Sequence, residues 1–327
     1  MSLKILKAGI LDTIQDEGRF GYQHLGINPG GAMDLLAMQT ANLLTGNEMN
    51  KPVIEFFYPA AEIYFEKNAL IAITGANFSP TLNGQRIKNG VPVMVKKKSV
   101  LAFSKKKNGQ CCYLTVQGGF NLLPWLNSNS TNLKAMAGGY EGRKLMKGDI
   151  LEFNTDFKNE RLKKNDFYKL SWRSVCFNNE SAEDEIFVIP GNEWNYLMAE
   201  SKNNFTNNEF HIAISSDRMG YRLNGENLVS SNKEELVSSA VNFGTIQLLP
   251  NGELIILMAD SQTTGGYPRV AHIVSAHLSK LSQKQPGSTI KFTIVNQQTA
   301  ENLFMKQQLH LQQLKNGCNF KLQQFLT

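Results

Sequence analysis

The chain has 327 residues, 42% of them hydrophobic and 19% charged, with a formal net charge of +6. Single cores stop growing near ~250–300 residues, so this length and an ordinary globular composition predict two domains. No apolar run is long enough to span a bilayer, and the first nine residues lack the apolar core and cleavage site of a secretory signal, so a cytoplasmic protein is expected.

The first segment richer in Gly and polar groups than folding needs is 16–34, DEGRFGYQHLGINPGGAMD. Gly18, Gly21, Gly26, Gly30 and Gly31 permit positive φ and close backbone approach. Asp16 and Arg19 are spaced to pair, and Tyr22 and His24 carry polar tips. Glycines that only make turns account for the same composition. Asp34 then caps a predicted helix over 34–44, with Leu35, Met38, Ala41 and Leu44 on one face.

Short β-branched or apolar runs follow at 69–74, 91–95, 113–116, 185–189, 211–214 and 254–258. Asn83-Gly84, Asn89-Gly90, Asn108-Gly109 and Asn251-Gly252 are turn signals that bound them. Such spacing predicts barrels or sandwiches with few helices, not a doubly wound sheet. Lys96, Lys97, Lys98 and Lys105, Lys106, Lys107 flank the apolar stretch 99–103. No aromatic residues interleave them, so a solvated hairpin edge is expected in preference to a nucleic-acid surface.

Cys111 and Cys112 are adjacent, while Cys176 and Cys318 stand alone, so no disulfide framework is expected. His272 and His277 are close in sequence but do not have the i, i+4 spacing of a helical zinc site; no metal is implied. The charge- and Asn-rich segment 154–179 marks an expected boundary between an N-terminal β-rich subdomain, 1–160, and a C-terminal one, 180–327. The latter ends in a predicted helix over 300–314. Leu303, Phe304, Leu311 and Leu314 lie near one face of it, interrupted by Gln307 and Gln308. Two weak echoes, DEGRFGY (16–22) with DRMGY (217–221) and GDILEF (148–153) with GSTIKF (287–292), suggest a duplication. That reading requires the two halves to share a topology.

Two further stretches could carry chemistry. In 215–222, SSDRMGYR, Asp217 could orient a guanidinium, and Arg218 or Arg222 could bind a carboxylate or stabilise an oxyanion through forked N–H donors. A surface salt bridge over Tyr221 fits the same residues. In 259–269, ADSQTTGGYPR, Gly265 and Gly266 would let backbone N–H groups approach a ligand beside Gln262, Thr263 and Thr264. These neutral groups suit an amide, ureido or lactam ring better than a phosphate, because Gln both accepts from a ring N–H and donates to a carbonyl. The chain contains no Gly-x4-Gly-Lys-Ser/Thr phosphate loop, no nucleophile elbow and no Met-Lys-Met biotin site, which points to partners.

The run 9–26, GILDTIQDEGRFGYQHLG, with Gly31-Ala-Met-Asp34, resembles the opening signature of the biotin-dependent carboxyltransferase, or allophanate hydrolase subunit 2, family. GGYEGR (138–143), SDRMGYRL (216–223) and DSQTTGGYP (260–268) resemble its later signatures, in order, over about residues 3 to 295. Gly31 and His277 stand where Ser and an acidic residue are common. The resemblance implies a mainly β protein of two β-barrel-type subdomains that includes cyclophilin-like barrel structure and works with a subunit-1-type partner.

Family members include the C-type subunit of ATP-dependent 5-oxoprolinase, the carboxyltransferase region of urea carboxylase, and an antagonist of a histidine-kinase inhibitor. The free-standing chain favours the first. On that reading it joins the A-type and B-type subunits of 5-oxoprolinase, the latter being the subunit-1-type partner, to open 5-oxoproline to L-glutamate. ATP is used at the level of the complex, the chain is inactive alone, and biotin enters only in the urea alternative. Arg218, Asp217 and Arg222 are then the expected catalytic residues. Asp16, Arg19, Tyr22, His24, Gln262, Thr263, Thr264, Gly265, Gly266 and Tyr267 are the expected substrate-binding ones. No nucleic acid or membrane partner is expected.

Overall fold

Among the described residues, twelve short strands, the helix α1 and the end of the last helix build the first of two units, which the computed structural model divides by contact. The structure describes residues 2–157, 162, 166–174, 181–232 and 236–326; Cys176 and part of 154–179 lie outside them. Met1–Arg19, Asp34–Cys176 and Leu309–Thr327 form the first unit, and Phe20–Met33 with Phe177–Gln308 form the second. The sequence-based bounds 1–160 and 180–327 place 20–33 and 309–327 the other way.

The strands of the first unit are β1 (Ser2–Lys7), β2 (Thr13–Gln15), β3 (Val53–Phe56), β4 (Glu62–Phe65), β5 (Ala69–Asn77), β6 (Pro80–Leu82), β7 (Gln85–Arg86), β8 (Val93–Val95), β9 (Val100–Phe103), β10 (Asn108–Val116), β11 (Ile150–Glu152) and β12 (Phe167–Lys169). They form two six-stranded sheets, ordered β11-β1-β4-β9-β6-β7 and β12-β8-β5-β10-β3-β2. The period of two along a strand sorts side chains between cores. Ile71 and Ile73 of β5, with Val93 and Val95 of β8, enter the main core with Leu3, Ile63 and Leu101. Leu70 and Met94 point the other way and pack with Leu322.

Asn83 and Gly84, both at positive φ, join β6 to β7 in the tight hairpin their dipeptide predicts. Asn108-Gly109 instead begins β10, where the register with β5 shifts. The lysine clusters lie at the two ends of β9. That strand runs between β4 and β6, so the expected hairpin edge is corrected: β7 and β11 are the edges of this sheet. The helix α1 (Leu35–Leu44) starts where predicted, with the Asp34 carboxylate accepting from Ala37 N at 2.9 Å.

In the second unit β13 (Glu185–Pro190), β14 (Glu209–Ile212), β15 (Gly220–Asn224), β17 (Thr245–Leu248), β18 (Leu254–Leu257), β20 (Arg269–Ile273) and β21 (Thr289–Ile294) close a barrel in the order β13-β20-β17-β18-β15-β14-β21. A two-stranded ribbon, β16 (Ser239–Ala240) with β19 (Thr264–Gly265), forms a separate small sheet. The unit's described α-helices are α2 (Ala199–Asn207) and α3 (Ser275–Ser282), and α4 (Gln297–Leu326) starts here, its residues from Leu309 on counting with the first unit. The chain is thus mainly β with few helices and a closed barrel. The first unit's two sheets and the second unit's closed barrel do not share a topology, which removes the duplication. The first echo survives only locally: Asp16 accepts from Gly18 N and Asp217 from Met219 N, both at 2.8 Å.

The last helix is longer than the predicted 300–314 because its buried positions continue. Leu303, Gln307, Leu311, Cys318 and Leu322 are all buried at spacings that keep one face. Gln307 belongs to this stripe, donating to the Ala276 carbonyl, whereas Phe304 is 44% exposed and lies off it.

Candidate functional site

Arg218 lies in the turn that leads into β15. Its Nε donates to Asp260 Oδ2 at 2.7 Å and its Nη2 to Asp260 Oδ1 at 2.9 Å, a forked pair. Nη2 also donates to the Gly31 carbonyl at 2.7 Å, and the residue is only 5% exposed. Asp260 N returns a bond to the Arg218 carbonyl at 2.8 Å. The carboxylate that orients this guanidinium is therefore Asp260. Asp217 is spent on the turn itself, accepting from Met219 N and Gly220 N at 2.8 and 3.3 Å. The sequence reading passed over Asp260, although it follows an apolar strand just as the chosen loops do. Arg222 lies on β15 between buried Tyr221 and Leu223, and alternation leaves it exposed.

The bond from Arg218 anchors the segment Phe20–Met33 within its own unit. Met33 is held as well, its carbonyl accepting from Ser282 Oγ. Tyr22, half-buried, and His24, exposed, sit on a 3-10 turn over Gln23–Leu25 that ends at Gly26 in the left-handed region.

The 259–269 loop is more ordered than its glycines suggest. Thr264 and Gly265 pair with Ala240 and Ser239, and the Thr263 carbonyl accepts from Val241 N at 3.0 Å. The expectation of open backbone donors at Gly265 is corrected to a paired ribbon. Gln262, Thr264 and Tyr267 are exposed, Thr263 is buried, and Gly265 and Gly266 are half-buried. Gly265 has a packing reason: a Cβ there would stand 2.7 Å from Gln247 Nε2. That amide donates to the Tyr267 carbonyl at 3.2 Å.

Next along β20, Arg269 grips Glu193, Nε to Oε2 at 3.0 Å and Nη2 to Oε1 at 2.8 Å, with the Arg269 backbone N on Oε2 at 2.9 Å. These bonds hold the Glu193 carboxyl below its ordinary range. Thr245 Oγ1 lies 3.3 Å from His272 Nδ1, and burial, then the nearby Arg269 charge, keeps this imidazole's pKa low.

Asp16 and Arg19 belong to the first unit. The Asp16 carboxylate accepts from Ser128 Oγ at 2.7 Å, Ser130 Oγ at 2.5 Å, Gly18 N at 2.8 Å and Asn129 N at 2.5 Å. Arg19 donates to the Ser130 carbonyl and lies 4.6 Å over the Trp125 ring. Both brace the 125–131 loop. The GGYEGR motif packs on them: a Cβ at Gly138 would approach Arg19 Nη2 to 3.0 Å. In the same opening signature Asp12 is fully buried, its Oδ2 accepting from Gly9 N at 2.8 Å. Burial pushes its carboxyl up to about 7, opposed by bonds from Gly9 and Ala61 and by the Lys144 charge.

Among the described residues no three His, Cys, Asp or Glu side chains gather as a metal-ligand set. No described helix is long and apolar enough to cross a membrane. The opening signature and SDRMGYRL are thus braced turns with buried Asp12, Asp16, Arg19 and Arg218, and DSQTTGGYP presents an exposed neutral edge at Gln262, Thr264 and Tyr267.

Comparison with known proteins agrees with this assignment of signatures. The family described as carboxyltransferase domain, subdomain A and B, matches residues 25–294. The C-type subunit of Haemophilus influenzae 5-oxoprolinase is 37% identical over 93% of this chain and 94% of its own length. That of Escherichia coli is 34% identical over 95% and 97%. The solved urea carboxylase of Kluyveromyces lactis superposes with a TM-score of 0.85 at 27% identity, covering 97% of this chain and 29% of that one. The chain belongs to the carboxyltransferase domain family, subdomains A and B.

Proposed function

We propose that the chain is the C-type subunit of a 5-oxoprolinase assembly that opens 5-oxoproline to L-glutamate with ATP. The observation that carries this reading is the extent of likeness. The chain aligns along 94% and 97% of two proteins named as C-type subunits of 5-oxoprolinase, at 37% and 34% identity, but spans 29% of the urea carboxylase chain. Its partners are then the subunit-1-type protein, which is the B-type component, and the A-type component, and the assembly works in the cytoplasm. The sequence holds no phosphate loop and no biotin attachment site, so ATP chemistry falls to the partners.

Within the barrel unit, exposed Gln262 and Thr264, with Tyr267, supply neutral hydrogen-bonding groups for the lactam edge, and Thr263, Gly265 and Gly266 hold their backbone. Tyr22 and His24 offer polar tips on the segment that Arg218 anchors. Arg218 acts as a positioning residue through Asp260 and Gly31, with Asp217 shaping its turn. Arg222, exposed, is the cation available to a carboxylate or to the oxyanion formed as the lactam carbonyl is attacked. One such donor is worth about 3 kcal/mol in a transition state. Asp16 and Arg19 brace the corresponding loop of the first unit.

A second reading, carboxyl transfer to urea from carboxybiotin, is favoured by the urea carboxylase likeness. The purified assembly offered both substrate pairs separates the two. The proposal expects glutamate from 5-oxoproline with ATP and no carboxylated urea from urea with carboxybiotin. The reverse pattern replaces it with the second reading.

A further inference from the structure

Beneath the β16–β19 ribbon, one face of the barrel carries a polar group of residues that the signatures do not include. In β17, Ile246 pairs with Ile256 and Ala271 on the apolar face, so Thr245 and Gln247 stand on the opposite face. Across the register Thr245 faces His272, and Gln247 faces Arg269, which holds Glu193. Thr245 and Gln247 are 1% and 0% exposed. Such depth demands full hydrogen bonding, yet the two ends of Gln247 differ. Its Nε2 donates to the Tyr267 carbonyl, while its buried Oε1 meets no donor among the described residues. A buried acceptor left in this state costs free energy that a ligand donor recovers.

We propose that Gln247 is the recognition residue of a binding site for a small cis-amide, a lactam or ureide ring, on this face of the barrel. A primary carboxamide presents one acceptor and one donor side by side. A cis-amide ring presents the complementary pair, N–H beside C=O. The ligand N–H therefore donates to Gln247 Oε1, and its carbonyl takes the Nε2 donor from the Tyr267 carbonyl. Entry lifts the Thr264–Tyr267 stretch of the roof, which is held by two register pairs at Thr264 and Gly265 and by this same amide bond. Gly265 lets the roof lie against Gln247, since any Cβ there would collide with the amide. His272, half-buried and paired with Thr245, borders the ring as a neutral group. The Arg269–Glu193 pair closes the far side and leaves little net charge, in keeping with a neutral amide edge and not with a phosphate.

This site rests on the lactam reading of the proposed function but can fail separately from it. The full chain is titrated by calorimetry with 2-pyrrolidinone, with N-methyl-2-pyrrolidinone, which lacks the N–H, and with 5-oxoproline. The proposal expects the N–H lactams to bind about tenfold or more tightly than the N-methyl one, and Gln247→Met to abolish that preference. Equal binding of the two lactams, no binding of either, or a preference that survives Gln247→Met overturns it. Should Gln247→Met not fold, by its melting curve, the wild-type preference and the Gln247 side-chain amide NMR shift decide in its place. A shift moved by 2-pyrrolidinone and not by its N-methyl analogue supports the site, and an unmoved one removes it. Glutamate formed by the assembly without any lactam preference at Gln247 leaves the function standing and removes the site. A preference at Gln247 with no glutamate formed does the opposite.

Discussion

Asp12 and His277 are buried titratable groups in different units, and burial shifts them with opposite consequences for stability. The Asp12 carboxyl titrates near 3.8 when unfolded and at about 7 when folded. Its contribution is therefore fullest below pH 4 and is lost as pH rises to about 7, a swing of about 4 kcal/mol. His277 accepts from Phe187 N at 3.1 Å through Nδ1 and stacks on the Phe187 ring, and its buried Nε2 meets no partner among the described residues. Burial, then Lys280, lowers it from 6.5 to about 4, against the opposing pull of Glu185. Its contribution is full above 6.5 and lost as pH falls to about 4, a swing of about 3 kcal/mol. Denaturant melts of Asp12→Asn and His277→Gln from pH 4 to 8 check this. Asp12→Asn gains on the wild type as pH rises, and His277→Gln gains as it falls; parallel curves for all three proteins would refute the assignment. At this scale the sequence singled out loops whose Asp and Arg side chains are locked in place, but not the partners those side chains use. Asp260 and Gln247 were passed over because an Asp or Gln after a strand reads as an ordinary turn or strand residue. Only the register of β15 with β18 brings Asp260 to Arg218, and only that of β17 with β20 brings Gln247 to the 259–269 loop.

At the scale of elements, α4 shows what periodicity can and cannot give. Lys315, Asn316 and Gly317 follow Leu314, and such a polar run ending in Gly reads as a helix stop, so the pattern alone ends the helix there. Polar Gln307 and small Cys318 keep the stripe buried and carry it on to Leu322. In the first unit Leu322 packs with Leu70 and Met94, and a Cβ on Gly46 would come within 2.5 Å of its Cδ1. Leu322→Ala is expected to cost about 2–3 kcal/mol, and Phe304→Ala, on the exposed face, less than about 0.5 kcal/mol. Equal losses in chemical melts would place Phe304 in the stripe and contradict the register. The strands were legible because their alternation feeds two opposed cores, as at Ile71 and Leu70. Their ends were less so: the run predicted to reach residue 214 stops at Ile212, and Ile214 is 88% exposed.

At the scale of the whole molecule, four signatures in order identified the family, and residues in them are fixed in turns by contacts within their own unit. Asp16, Arg218 and Gly265 are examples, each locked by several named contacts. Sheet order was not legible in the same way. The first unit's two sheets and the second unit's closed barrel depend on long-range pairings such as β13 with β21, which no local pattern encodes. The pairings also separate two segments, Phe20–Met33 and Leu309–Thr327, from their sequence neighbours. The functional reading stands or falls on whether ATP-driven opening of a lactam by an assembly requires this chain. Glutamate formation from 5-oxoproline and ATP by the co-expressed components, with each omitted in turn, decides it. Glutamate is expected only when this chain is present, and none from the chain alone. Undiminished glutamate in its absence would contradict the requirement.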